Sequence, residues 1–278
     1  MLTASGGRDA GHVLAGDELV ARWSAAVAAG AHGRGAAALT ALAAVVTDAR
    51  VVGDRPVASL ACSTAASLYR QAGRHRDALI RDGHALLLAG ADMPGRSAWA
   101  RAAACDALIN LAADNLGLGR FGAARRLLDR ADELAEGSPS GADAPWLTDA
   151  RCRLRALWVR AELAIYSDDP DAALDAGQRA TAMLADRADG GTQRHRIKTG
   201  LIVAAAQAAT GHAEVAMQAA IALGDASAEA GLRPLQWAAL SLQQGLGDTS
   251  AQTVAAVNDL YRFLHARGMP FVRSHNDR

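Results

Sequence analysis

Aromatic side chains are scarce in this chain: they make up 4% of 278 residues, although 51% of the residues are apolar. The apolar mass is therefore alanine, leucine and valine. Sheet cores draw on β-branched and aromatic residues, whereas alanine has the highest helix propensity and lets helices approach closely. An all-α fold follows. An excess of charge is also lacking, with 29 basic and 29 acidic residues. No global field then draws the chain to nucleic acid or anionic lipid, and direct nucleic-acid binding is not expected. Lysine is almost missing, Lys198 being the only one. The three cysteines, Cys62, Cys105 and Cys152, are odd in number and widely spaced, with no CxxC. That pattern excludes a zinc finger or a disulfide framework and implies buried thiols in a reducing cytoplasm. Uncharged runs such as 35–47 and 199–213 fall short of the ~18 residues of a spanning helix, and residues 1–16 lack the pattern of a signal peptide. A soluble, cytoplasmic protein is expected.

What is present is a repeat. A turn residue, four residues and then alanine recur as Gly33–Ala38, Gly73–Ala78, Gly119–Ala124, Asp168–Ala173 and Gly211–Ala216. A weaker sixth copy starts at Gly247 and carries Gln252 in place of alanine. Glycine ends a helix because it tolerates the left-handed conformation. The small alanine then lets the next helix lie against the first. At Asp168-Asp169-Pro170 a carboxylate can cap the new helix, with proline in its first turn. The reading is six helix pairs. First helices are expected near 17–30, 56–72, 97–117, 147–166, 193–210 and 233–245. Second helices are expected near 34–50, 75–90, 120–136, 170–186, 213–230 and 250–267. Breaker-rich loops fall at 92–95, 137–145 and 189–191. Residues 1–16 and 269–278 read as loose tails flanking one domain at 17–268.

The third pair places Leu108, Leu111-Ala112, Asn115, Gly119, Ala124 and Leu128 at spacings that resemble the tetratricopeptide repeat. The second pair offers Cys62, Ala65-Ala66, Tyr69, Gly73 and Ala78, but Asp82 stands where a large apolar residue belongs. The period, 36 to 49 residues between successive turns, exceeds the 34 of that family. The resemblance implies a right-handed α-solenoid of about six antiparallel helix pairs that binds another protein or peptide on its concave face. Longer repeats of this kind are similar to those attached to bacterial regulators, which gives a second reading: a ligand-sensing regulatory domain linked to transcription or signalling. A homodimer is compatible with either.

Chemistry is sparse. Gly117-Leu118-Gly119-Arg120-Phe121-Gly122 matches GxGxxG, but a helix precedes it where the dinucleotide fingerprint needs a strand. No HExxH, GxSxG or Walker loop occurs. His84 and Asp82, two apart on a helix, point to different sides. No enzyme, cofactor or metal site is expected. Two basic clusters remain, Arg151/Arg153/Arg155/Arg160 and Arg194/His195/Arg196/Lys198. They read as solvated helix surface or as one rim that recognises an acidic or phosphorylated partner. Counting back from each turn residue, the groove-facing position holds Asp106, Arg155 and Lys198 in three successive pairs. Trp23, Trp158 and Trp237 each precede a turn by ten residues, one fewer than the family's aromatic, which turns the side chain by about 100°. They fill seams between pairs or anchor a peptide. The candidate partner-binding residues are Arg155, Lys198, Trp158, Asp106 and Arg70.

Overall fold

The computed structural model describes residues 7–90, 97–136, 145–185 and 192–271, with side chains from Gly16 onward. Twelve α-helices and no strand occur among the described residues. They are α1 (Gly7–Ala31), α2 (Gly35–Val51), α3 (Arg55–Gln71), α4 (His75–Ala89), α5 (Ala98–Gly117) and α6 (Phe121–Ala135). Then follow α7 (Arg151–Tyr166), α8 (Pro170–Ala185), α9 (Gln193–Ala209), α10 (Ala213–Glu229), α11 (Arg233–Gly245) and α12 (Ala251–Ala266). A π-helical turn, Trp146–Ala150, leads into α7.

The repeat has a direct backbone cause. Gly33, Gly73, Gly119, Gly211 and Gly247 all take positive φ, and Asp168 takes the same left-handed conformation at φ 58°. The alanines that follow, Ala38, Ala78, Ala124, Ala173 and Ala216, are each completely buried. Gln252, in the sixth copy, is exposed. At the fourth turn Asp169 caps α8 by accepting from the Ala172 amide at 3.2 Å. The GxGxxG stretch is the α5–α6 connection, with helix on both sides.

Each helix packs on the next, and α1, α3, α5, α7, α9 and α11 also touch one another in series. The even-numbered helices do not pack together in that way. The result is a solenoid of two layers, with the odd helices as the continuous layer. Its central member, α5, is buried almost all round. The two ends of the solenoid meet. Gly35 lies against the backbone of Gly268 and Met269 so closely that a Cβ there would come within 2.7 Å. The Ala36 amide donates to the Arg267 carbonyl at 2.8 Å. Leu264 and Met269 join the same apolar cluster as Trp23, Ala26 and Leu42.

Two observations bear on the expected tails. α1 begins at Gly7 rather than near residue 17. Its glycines, at about 1 kcal/mol each relative to alanine, do not outweigh propagation from the helix downstream. At the other end, Met269 is 3% exposed and Phe271 packs on Trp237 and Tyr261, so the chain is held beyond residue 268 by apolar burial. Residues 1–6 and 272–278, and most of the expected loops at 92–95, 137–145 and 189–191, lie outside the described residues.

Candidate functional site

The positions Asp106, Asn110 and Asp114 recur every four residues along α5, so helical geometry aligns them in one stripe. All three are buried. A buried carboxylate requires a partner, and the neighbouring odd helices supply one on each side. From α3, Arg70 gives its Nε to Asp114 at 2.7 Å and its Nη2 to Asp82 of α4 at 2.5 Å. From α7, Arg151 reaches Asp106 with Nη2 at 2.5 Å, and Arg155 binds both Asp106 and Asn110. Asn110 joins the two halves: its carbonyl oxygen accepts from Arg70 as well, at 3.4 Å, and its amide donates to Asp82 at 3.1 Å.

One more step along the layer, Lys198 of α9 pairs with Glu162 of α7 at 3.0 Å, both about one third exposed. At the start of α9, His195 is buried between two tryptophans. Trp146, presented by the π-helical turn, meets its ring edge-on at 4.8 Å, and Trp158 stacks on it at 5.8 Å. The His195 Nδ1 lies 2.5 Å from the Thr192 hydroxyl.

Four of the five sequence-derived candidates therefore fall close together. Arg70, Asp106 and Arg155 belong to one hydrogen-bonded network, and Trp158 stands beside it through His195. Lys198 forms its own pair. The first basic cluster divides: Arg151 and Arg155 meet on Asp106, while Arg153 donates to the Ala135 carbonyl and Arg160 pairs with Asp129 and Asp132 of α6. The tryptophans separate by position. Trp23 is 4% exposed and donates to Thr64 of the following pair at 2.8 Å; Trp158 makes the same bond to Thr199 at 2.8 Å. Both fill seams. Trp237, in the last pair, has no following pair to bond, and its Nε1 is buried without a partner. Of the remaining members, His195 stood in the second basic cluster and Asp82 was weighed only beside His84, while Asn110, Asp114 and Trp146 were not among the sequence candidates.

The electrostatics differ along the layer. Burial pushes Asp82 up to about 8 against the pull of Arg70, and Asp114 adds to the rise. Burial raises Asp114 as well. Asp106 is equally buried, yet Arg151 and Arg155 outweigh desolvation and hold it below the ordinary carboxylate range. Burial brings Arg194 down to about 10, assisted by Arg155 and then Arg151. Burial likewise takes His195 down to about 3, with Arg194, Arg151 and Arg155 adding to the fall. Arg151 and Arg155 thus share one carboxylate, Asp106.

His84 is exposed and Asp82 buried, so the two do not form an acid–base pair. Among the described residues no cluster of His, Cys, Asp or Glu has the make-up of a metal site. Between Cys105 and Cys152 lies a cavity of about 20 Å³, room for one water at most. Burial pushes the Cys152 thiol up and so keeps it unreactive. No described helix is long and apolar enough to cross a membrane. No family model matches the chain, and no curated protein matches it.

Proposed function

We propose that the chain is a non-catalytic binding module, and that a partner peptide or helix lies along the layer of odd-numbered helices. The observation that carries this reading is the charged row on that layer. Asp106, Arg155 and Lys198 occupy equivalent register positions on α5, α7 and α9, and Arg155 and Lys198 remain partly exposed. Packing alone would favour apolar residues at such positions, because a buried ion pair is often no more stabilising than a hydrophobic replacement. A row of fixed guanidinium and ammonium groups provides directional recognition instead. Kinship with the tetratricopeptide repeats is proposed on the same register, together with a cytoplasmic location.

Affinity capture from native lysate tests this reading, with wild type beside Lys198→Ala and an outer-layer control, Leu87→Ser. Leu87 is 73% exposed on α4, and the Lys198–Glu162 pair is a third open to solvent, so both variants keep the wild-type melt. The expected result is a protein held by wild type and control and released by Lys198→Ala. Capture that survives Lys198→Ala but is lost in the control moves the surface to the outer layer and overturns the reading.

A further inference from the structure

The chain holds one of its own segments against the last helix pair. Beyond α12, Met269 is buried and its amide donates to the Leu264 carbonyl at 3.0 Å, which anchors the segment. After Pro270 a tight turn closes as the Phe271 amide donates to the Met269 carbonyl at 2.8 Å. The turn lays the Phe271 ring on Trp237 of α11, with centroids 5.7 Å apart, and on Tyr261 of α12 at 4.6 Å. Trp237 is the last of the register series. Trp23 and Trp158 each meet a following pair and donate to it, whereas Trp237 meets Phe271 and its Nε1 has no partner. Phe271 also borders a cavity of about 690 Å³, a volume in the range of small-ligand sites. Across it stand Gly73–Asp77, where α3 turns into α4, with Gly117 and Leu118 at the end of α5. Neither Met269 nor Pro270 borders this space, so a peptide seated like the segment carries its next residues toward the far wall. That wall is basic. Arg74 and Arg76 stand on it against one carboxylate, Asp77, which Arg74 already binds at 2.7 Å, and Arg76 is exposed. The sequence that follows Phe271, Val272–Arg278, has two arginines and a histidine against one aspartate, a poor charge match to such a wall.

We propose that Phe271 is an in-built competitor, and that the partner segment which displaces it carries an aromatic residue followed by acidic ones. The aromatic residue takes the seat on Trp237 and Tyr261, and the carboxylates meet Arg76 and Arg74 across the cavity. Met269 stays anchored, so the swing is confined to Pro270 and Phe271. This deepens the binding-module reading and rests on it.

Isothermal titration of the acetylated peptide Met-Pro-Phe-Val-Glu-Glu into wild type and Phe271→Ser provides the test. A tethered occupant acts as a ligand at about millimolar effective concentration, so its removal is expected to tighten peptide binding roughly tenfold or more. The same peptide with alanine in the aromatic position, or with arginines for the glutamates, is expected to bind Phe271→Ser roughly tenfold more weakly. The first peptide is also expected to raise the melt of Phe271→Ser, which a merely structural Phe271 would not bring about. Phe271→Leu keeps an apolar side chain and carries the same comparison where Phe271→Ser does not fold. Equal affinity for wild type and variant, no binding to the variant, or equal binding of the alanine peptide each overturns the proposal. A wild-type dimer that Phe271→Ser turns into a monomer without binding peptide gives the seat to a second copy and overturns it too. Lys198-dependent capture with no peptide binding to either variant sinks the competitor alone. Peptide binding unmasked by Phe271→Ser without any Lys198-dependent capture keeps the seat and moves the partner off the charged row.

Discussion

The two ends of the α5 stripe have opposite charge balances. Around Asp114, one arginine, Arg70, serves two carboxylates, Asp82 and Asp114. Around Asp106, two arginines serve one carboxylate. The difference matters because only one kind of excess can correct itself. A surplus carboxylate takes up a proton, which is what burial and Asp114 bring about when they push Asp82 to about 8. A surplus guanidinium keeps its charge. The acid-rich end is thus a closed structural joint between α3, α4 and α5. The arginine-rich end joins α5 to α7 through one carboxylate held by two arginines.

The sharpest way to break this comparison is to remove the one carboxylate at the arginine-rich end. Asp106→Ala leaves Arg151 and Arg155 partly buried without a counter-charge and is expected to cost about 3–5 kcal/mol in urea denaturation. That loss should hold from pH 5 to 8.

The next effect concerns pH. Asp82 has a folded value above its unfolded one, so the native state binds more protons than the unfolded state between about pH 4 and 8. Its contribution is fully present below pH 4 and is lost as pH rises through about 8. Asp106 has the opposite sign, because its folded value is depressed: its contribution is present at neutral pH and is lost as pH falls below about 4. Chemical denaturation of Asp82→Asn, compared with wild type at pH 5 and pH 8, is expected to show a weaker loss of stability on going to the higher pH. A pH dependence identical to wild type would mean that Asp82 is ionised in the fold.

A smaller effect sharpens the arginine-rich side. Trp158→Phe keeps a ring against His195 but removes the 2.8 Å bond to Thr199. Equilibrium unfolding should register a loss of about 1 kcal/mol.

Much of the scaffold was legible in the sequence because its turns require a rare backbone conformation. Glycine or aspartate must stand wherever φ is positive, and the left-handed turns at Gly33, Gly73, Gly119, Asp168, Gly211 and Gly247 are where the repeat placed them. The register of Asp106, Arg155 and Lys198 was readable for the same reason, since each is counted from such a turn. Asp82 left a trace as a charge at an apolar position of the second pair. Its partner was not readable, because Arg70 and Asp114 come from two other helices and only packing brings the three together. Trp146 reaches His195 through a π-helical turn, a departure from regular helix that no residue type announces. The contact between the ends was not readable for a related reason. Short stretches such as Met269–Phe271 carry little periodicity, and what holds them, the meeting of α12 with the α1–α2 turn, is a contact between the two extremes of the chain.

The contrast between the two ends is tested most directly by melting two single variants side by side at pH 7. Arg70→Met removes the shared partner of Asp82 and Asp114 and is expected to lose about 4 kcal/mol, a fall of roughly 8–16 °C. Arg155→Met leaves Arg151 on Asp106 and is expected to lose about 1.5 kcal/mol, a fall of roughly 3–6 °C. A clearly smaller fall for Arg155→Met supports one arginine shared by two acids beside one carboxylate shared by two arginines; falls of similar size in both would contradict it.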